Sequence, residues 1–266
     1  MVVHQPLALR AALRHDLIRR AIEVDGRVSI ADLRGRLNVS EVTIRADLRR
    51  LEQRGELTRV RGGAVASPNG AAELSLEQTS TANRAQKMAI AAHAASLIED
   101  GQTIIIDVGS TTTELAKALP PHFSQLVVIT NGLNIALTLE PFPGVAVIVT
   151  GGTLRPLQHS LVAPMGTILL ERLRADIAFL GCNGVDANRG FTNTNIAEAE
   201  IKQAMLRSAN RTVLLADHSK IGKVASAFVA GLESVDLLIT DSGANKAILR
   251  DLRAKGLEVA VVEPVG

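Results

Sequence analysis

The stretch from Ser29 to Ala64, SIADLRGRLNVSEVTIRADLRRLEQRGELTRVRGGA, permits few folds, because helical spacing of apolar residues is broken once, resumes, and gives way to a short alternating run ending in glycines. Ser29 can cap a helix of about two turns, with Asp32 completing an acidic capping box and Ile30, Leu33 and Leu37 on one face. Asn38 tolerates the left-handed backbone of a sharp turn, Val39 is an apolar plug, and Ser40 can cap a second helix beginning near Glu41. At about 100° per residue, Ile44, Leu48 and Leu51 point inward together, while Val42, Thr43, Ala46, Arg49, Arg50 and Gln53 point outward with Arg45 on the flank. Gly55 ends that helix, Leu57 to Val60 alternates like a strand, and Arg59, Arg61, Gly62 and Gly63 form a basic tip in which glycine permits a tight turn and close backbone approach. Upstream, Leu13, Leu17, Ile18, Ala21 and Ile22 supply a backing helix that turns at Asp25-Gly26.

Short side chains early on the outward face and arginines later suit a helix lying in a DNA major groove. Charge supports this. Residues 1–66 hold 13 Arg, no Lys and 8 Asp+Glu, a net of +5, against 16 Lys+Arg and 19 Asp+Glu in the remainder, so the overall +2 conceals a basic head on an acidic body. The head has no aromatic residue to stack on single strands or RNA loops, which makes double-stranded DNA the expected partner.

Beyond the head, Val65 to Thr81 is rich in Ala, Ser, Asn and Gly and reads as a linker. The expected organisation is a winged helix-turn-helix over residues 1–66, a linker over 67–82 and an α/β domain over 83–266. A single Cys182 excludes an internal disulfide, no apolar stretch approaches membrane-spanning length, and the start of the chain has no signal-peptide pattern; a cytoplasmic protein without membrane contact is expected. Apolar runs at Thr103 to Ile106, Leu126 to Ile129, Val145 to Val149, Ile177 to Leu180, Thr212 to Ala216, Leu237 to Ile239 and Glu258 to Val262 read as buried parallel strands. Helical stretches at Arg84 to Ile98, Thr112 to Leu119, Ala197 to Ser208 and Ala244 to Lys255 make the body an open α/β sheet.

In such sheets ligands bind at the carboxyl ends of the strands. The first strand leads into Asp107, Gly109, Ser110, Thr111 and Thr112, which reads equally as an anion site at a helix N-terminus or as a plain capping turn. The next ends carry Asn131, which could orient sugar hydroxyls, then Gly151 and Gly152 with Arg155, which could meet a phosphate, and Gly181. Glu198 and Lys202 stand at i and i+4, either as site residues or as a surface ion pair, and Asp217 and Lys220 follow the fifth strand. His159, Cys182 and His218 lack ligand spacing, so no metal or cofactor is expected; Cys182 reads as core packing, and His15 and His93 as packing or surface residues.

The segment VSEVTIRADLRRLEQRGELTRVRGGA resembles the N-terminal signature of the DeoR family of bacterial transcriptional regulators, and DVGSTT, ITNGLN, VTGGTLR, AFLGCNGVD, EAEIKQAM and ADHSKIG resemble its sensor domain. The resemblance implies a helix-turn-helix over Val28 to Asp47, DNA contacts at Ser40, Thr43, Arg45 and Arg49, and a wing served by Arg59 and Arg61. Ser29, Val42, Ala46, Arg50, Gly62 and Gly63 complete the candidate DNA-facing set; at Ala46 many family members carry a second arginine, so the site read here is expected to differ. The resemblance also implies a body related in fold to ribose-5-phosphate isomerase, glucosamine-6-phosphate deaminase and CoA-transferases that responds to a phosphorylated sugar, in a homodimer or homotetramer gripping symmetric half-sites. The rival reading makes the body a catalyst on sugar phosphates with Asp107, Glu198, Asp217 or Lys220 as acid or base. An attached DNA reader gives binding a use without turnover, and favours a sensor.

Overall fold

The computed structural model describes residues 11–53, 56–65 and 75–264, which form two compact units meeting in sequence at Leu74 and Ser75. Gly55, the Gln53 side chain and the linker residues 66–74 lie outside the described residues.

The first unit runs α1 (Ala11–Asp25), β1 (Arg27–Ser29), α2 (Ile30–Leu37), α3 (Glu41–Gln53), β2 (Thr58–Val60) and β3 (Gly63–Val65). Ile18 and Ile22 of α1 meet Ile30, Leu33 and Leu37 of α2 and Ile44, Leu48 and Leu51 of α3 in one apolar core. Leu13 and Leu17, expected to back the pair, are instead substantially exposed. Asn38 adopts the left-handed conformation at φ 50° and ψ 47° that the turn between α2 and α3 requires. Ser29 caps α2 by accepting the Asp32 N–H at 3.0 Å, but the Asp32 carboxylate accepts from the Ser29 hydroxyl at 2.7 Å in place of the backbone N–H of a full capping box. Just before that cap, β1 pairs with β3 in an antiparallel sheet of order β1-β3-β2, with Ser29 opposite Gly63.

The second unit begins at Ser75, not at residue 83, because residues expected as linker fold as α4 (Leu76–Thr81) behind a complete Ser75–Gln78 capping box. There follow α5 (Arg84–Ala95), β4 (Thr103–Ile106), α6 (Ser110–Ala118), β5 (Leu126–Thr130), α7 (Leu133–Leu139), β6 (Val145–Val149), β7 (Thr153–Arg155), β8 (Ser160–Val162), α8 (Met165–Leu170), β9 (Ala175–Gly181), β10 (Gly184–Asp186), β11 (Gly190–Asn193), α9 (Ile196–Arg207), β12 (Ala209–Leu215), β13 (Ala227–Ala230), β14 (Leu237–Asp241), α10 (Lys246–Ala254) and β15 (Glu258–Val262). Among the described residues, the seven apolar runs form one parallel sheet of order β15-β14-β12-β9-β4-β5-β6.

Alternation along each strand feeds two cores. Ile104, Ile106, Phe179, Val213 and Leu215 face α5, α6 and α7, whereas Ile105, Ala178, Leu180 and Leu214 face α8, α9 and α10. The antiparallel β10-β11-β13 sheet and the β7-β8 hairpin supplement this plan. The chain builds β4, β5 and β6 in one direction, then returns across β4 to build β9, β12, β14 and β15 in the other. Its topological switch point therefore lies between β4 and β9, where the two connections leave in opposite directions, the place at which open α/β sheets bind ligands.

Candidate functional site

Two surfaces gather the candidate residues that the sequence points to. In the first unit, the exposed face of α3 presents Val42, Ala46, Arg45, Arg49 and Arg50, with Thr43 half-buried beside them. Ser40 Oγ accepts the Thr43 N–H at 3.2 Å, and the two hydroxyls lie 2.9 Å apart, so the cap fixes the start of the helix. Glu41 holds Arg45 at 2.6 Å and Glu52 holds Arg59 at 2.6 Å. Exposed pairs of this kind contribute about 0–1 kcal/mol, little enough for a phosphate to displace the carboxylate.

Arg61 and Gly62 form the exposed wing tip, where Gly62 has φ +83°. Gly63, placed among the DNA contacts by its sequence position, is buried: a Cβ there would stand 2.0 Å from the Val28 carbonyl oxygen, so its task is to let β3 close on β1. Ser29 is likewise occupied by the cap of α2.

What sequence periodicity missed in the head is its inward charge. Asp47 of α3 is buried with Arg14 and His15 of α1, accepting from Arg14 Nε at 2.8 Å and Arg14 Nη2 at 3.1 Å, with His15 Nε2 3.0 Å away. Burial pushes the Asp47 carboxyl up, but the Arg14 and His15 bonds outweigh it and hold the group below its ordinary value. These bonds fix the rotation of α3, and hence which residues face outward.

The second surface is the switch point. Asp107, at the end of β4, is fully buried; its Oδ2 accepts from the Gly181 N–H at 3.0 Å and from Lys202 Nζ, while Oδ1 has no hydrogen-bond partner among the described residues. Burial pushes the Asp107 carboxyl up against the pull of Lys202 and the Gly181 N–H. Glu198 is buried too, and binds Arg155, the Ser160 hydroxyl at 2.8 Å and Asn193 Nδ2 at 2.9 Å. Glu198 and Lys202 are thus no surface ion pair: the i, i+4 spacing puts both on the inner face of α9, and each takes a partner from another element.

Asp217 Oδ1 accepts from the Ser219 N–H at 2.9 Å and from Asn83 Nδ2 at 3.0 Å. Burial raises its carboxyl, yet the Ser219 bonds and the charges of Lys220 and Lys87 bring it below the ordinary value overall. Lys220 is half-buried in the short turn His218–Lys220 after β12, and its ammonium has no hydrogen-bond partner among the described residues. Lys87, which the sequence pattern did not single out, is buried on α5 with Nζ bonded to the Ala82 carbonyl at 2.6 Å.

The loop before α6 divides. The Thr112 and Thr113 hydroxyls both donate to the Gly109 carbonyl, at 3.0 and 2.6 Å, as in a capping turn, whereas Ser110 remains half-buried. The amides of Ser110, Thr111 and Thr112 precede the first helical bond, which runs from the Thr113 N–H to Gly109, so no helical carbonyl can receive them. Asn131, expected to orient sugar hydroxyls, is fully buried and braces the fold: its Oδ1 accepts from the Val108 N–H at 2.8 Å and its Nδ2 donates to the Leu161 carbonyl at 3.4 Å. Gly151 and Gly152 take φ +70° and +122°; a Cβ on Gly152 would lie 2.0 Å from the Val162 carbonyl, which ties this turn to β8.

Cys182 packs at the edge of the core, and burial pushes its thiol up to about 12. His159 pairs with Glu77 and His218 with Asp241.

The head matches the family model for a DeoR-like helix-turn-helix domain over residues 14–68, and the body that for the DeoR C-terminal sensor domain over residues 82–242. The chain is 36% identical over 250 residues to the HTH-type transcriptional regulator GolR of Listeria innocua, covering 94% of this chain and 98% of that protein. It is 34% identical over 251 residues to the putative aga operon transcriptional repressor of Escherichia coli O157:H7, with 94% and 93% covered. With the glycerol-3-phosphate regulon repressor of Haemophilus influenzae it shares 32% identity over 232 residues, 87% and 90% covered. Among solved structures, the full-length sorbitol operon regulator SorC of Klebsiella pneumoniae aligns at 14% identity and a TM-score of 0.42, over 91% of this chain and 98% of that one, a likeness too low to bear argument. On the strength of the two family matches and the near-complete relatives, this chain belongs to the DeoR family of helix-turn-helix transcriptional regulators, and it binds DNA.

Proposed function

We propose that this regulator represses genes of sugar or amino-sugar metabolism, and that a phosphorylated sugar bound at the β4/β9 switch point alters its grip on operator DNA. The observation that carries the reading is the charge arrangement at the strand ends. Lys202 is matched by Asp107, whereas Lys220 offers a half-buried ammonium with no hydrogen-bond partner among the described residues, a compact point charge suited to a phosphate. The Ser110, Thr111 and Thr112 amides, which precede the first helical bond of α6, add donors of the same polarity. Asp107 Oδ1, a buried acceptor without a donor, would gain from a ligand hydroxyl. The names of two relatives point the same way, one to an aga operon and one to a glycerol-3-phosphate regulon.

Binding without turnover is part of the reading, because both oxygens of Glu198 are engaged by Arg155, Ser160 and Asn193, and Asp107 is tied through Oδ2 to Lys202 and the Gly181 N–H. Two or four copies of the chain would present their heads to symmetric half-sites in the cytoplasm, and the ligand would act by binding the DNA-competent and released states unequally. Two substitutions separate the functions. Lys220→Ala should weaken the response to sugar phosphate about tenfold or more while leaving duplex affinity unchanged. Arg49→Ala should weaken duplex binding and lower the salt slope by about one while sparing the sugar phosphate response. Parallel losses of both functions in either variant would contradict the assignment.

A further inference from the structure

Residues 75–83, the first described stretch after the linker, are fastened to two loops of the candidate ligand site by side chains drawn away from local bonds. Asn83 occupies the N-cap position of α5, where an asparagine ordinarily accepts a helix N–H. Here it makes no capping bond; its amide donates instead to Asp217 Oδ1 at 3.0 Å, across 134 positions of sequence. Its backbone is left-handed at φ 52° and ψ 37°, a conformation that asparagine enters more readily than other non-glycine residues, though at some cost relative to glycine. One turn on, buried Lys87 donates to the carbonyls of Thr79 and Ala82, gripping the end of α4. At the start of α4, Glu77 reaches His159 at 2.7 Å, in the turn joining β7 and β8, the hairpin that carries Arg155 and Ser160 to Glu198.

We propose that the Asn83–Asp217 bond is a latch that reports occupancy of the ligand site to the linker, a reading that rests on the sugar phosphate assignment above. A phosphate at Lys220 sets negative charge beside Asp217, which caps the start of the same turn. The carboxylate shifts away from the new charge, Asn83 loses its acceptor and leaves the left-handed backbone, and α4 loosens at the point where the linker enters the body. Both loops that hold α4 carry residues of the site, so occupancy bears on the Glu77–His159 contact as well.

Asn83→Gly tests this in the full-length protein, since glycine accepts the left-handed backbone but has no amide to donate. Amide hydrogen exchange over residues 76–83 in the ligand-free variant should be about tenfold faster than in wild type, as expected for loss of one bond to a carboxylate, with α9 and β12 unchanged. Glucosamine 6-phosphate, fructose 6-phosphate and glycerol 3-phosphate serve as probes. Whichever binds should speed exchange of α4 in wild type, add nothing in Asn83→Gly, and change duplex affinity of the variant by less than about twofold while its own affinity persists. Unaltered exchange of α4 in the ligand-free variant overturns the latch, as does a variant retaining the wild-type response or a probe that slows exchange there. Failure of every probe to bind wild type would refute the sugar phosphate reading, while the ligand-free comparison still decides the latch.

Discussion

Replacing Asp47 by alanine should unlock the DNA-binding head while leaving the body intact. The carboxylate accepts from Arg14 at 2.8 and 3.1 Å and, being acceptor-only when ionised, accepts from the His15 Nε2–H at 3.0 Å. All three side chains are buried, so alanine takes away the carboxylate against which the Arg14 guanidinium and the His15 ring are desolvated. Breaking a buried pair from one side costs about 3–5 kcal/mol. A unit the size of the head has roughly 3–8 kcal/mol in total, so one substitution removes most of its stability. The chain contains no Trp or Tyr, which makes hydrogen exchange a better reporter than intrinsic fluorescence. Amides of α1 and α3 should exchange about 10² to 10³ times faster, with β4, β9 and β12 unaffected. Arg14→Met combined with Asp47→Leu should recover much of the loss, because the buried guanidinium is removed together with its carboxylate. Acceleration of less than about fivefold, or a double variant as damaged as the single one, would refute the reasoning. pH offers a second reading. The folded carboxyl lies below its ordinary 3.8, so its contribution is present above that value and is lost as pH falls through the folded pKa. The Asp47 contribution to head stability should therefore be level between about pH 5 and 7 and decline below about 4.

Two further outcomes follow from geometry. Gly63→Ala puts a Cβ 2.0 Å from the backbone oxygen of Val28, which cannot swing aside; the wing should lose about 1–3 kcal/mol and duplex affinity should drop, with exchange in the body unchanged, and an alanine variant of wild-type affinity would contradict the close approach. Cys182, its thiol pushed up to about 12 by burial, should react with iodoacetamide at pH 8 about a thousandfold more slowly in the folded protein than in urea, and comparable rates would show the thiol is not held as described.

The parallel sheet was legible because each strand carries a short, largely apolar run, mostly buried in β4, β5 and β14 and part-exposed in the edge strands β6 and β15. The α2-turn-α3 unit was legible because Asn38 and Ser40 mark its turn and Ile44, Leu48 and Leu51 its core. The smaller β10-β11-β13 sheet was not, since segments such as GVD and GFTN are too short and too rich in Gly, Thr and Asn to display a period of two. Position at the strand ends singled out Asp107, Asp217 and Lys220, and helical i, i+4 spacing singled out Glu198 and Lys202, but neither gave their partners. Lys202 meets Asp107 across 95 positions and Asn83 meets Asp217 across 134, distances over which no local spacing rule operates. Asn131 and Gly63 show the opposite failure: residue types suited to ligands and DNA, here consumed by the backbone around them.

The central claim is that one chain joins a DNA reader to a ligand-gated body, and equilibrium binding of the full-length protein tests it most directly. Its operator would first be selected from random duplexes, then its affinity measured with and without a panel of sugar phosphates and their unphosphorylated sugars. The account predicts tight, sequence-selective duplex binding that weakens steeply with salt and that at least one sugar phosphate shifts by about tenfold, while the matching free sugar does not. Selective duplex binding that no phosphorylated sugar alters, or that free sugars alter equally, would contradict it.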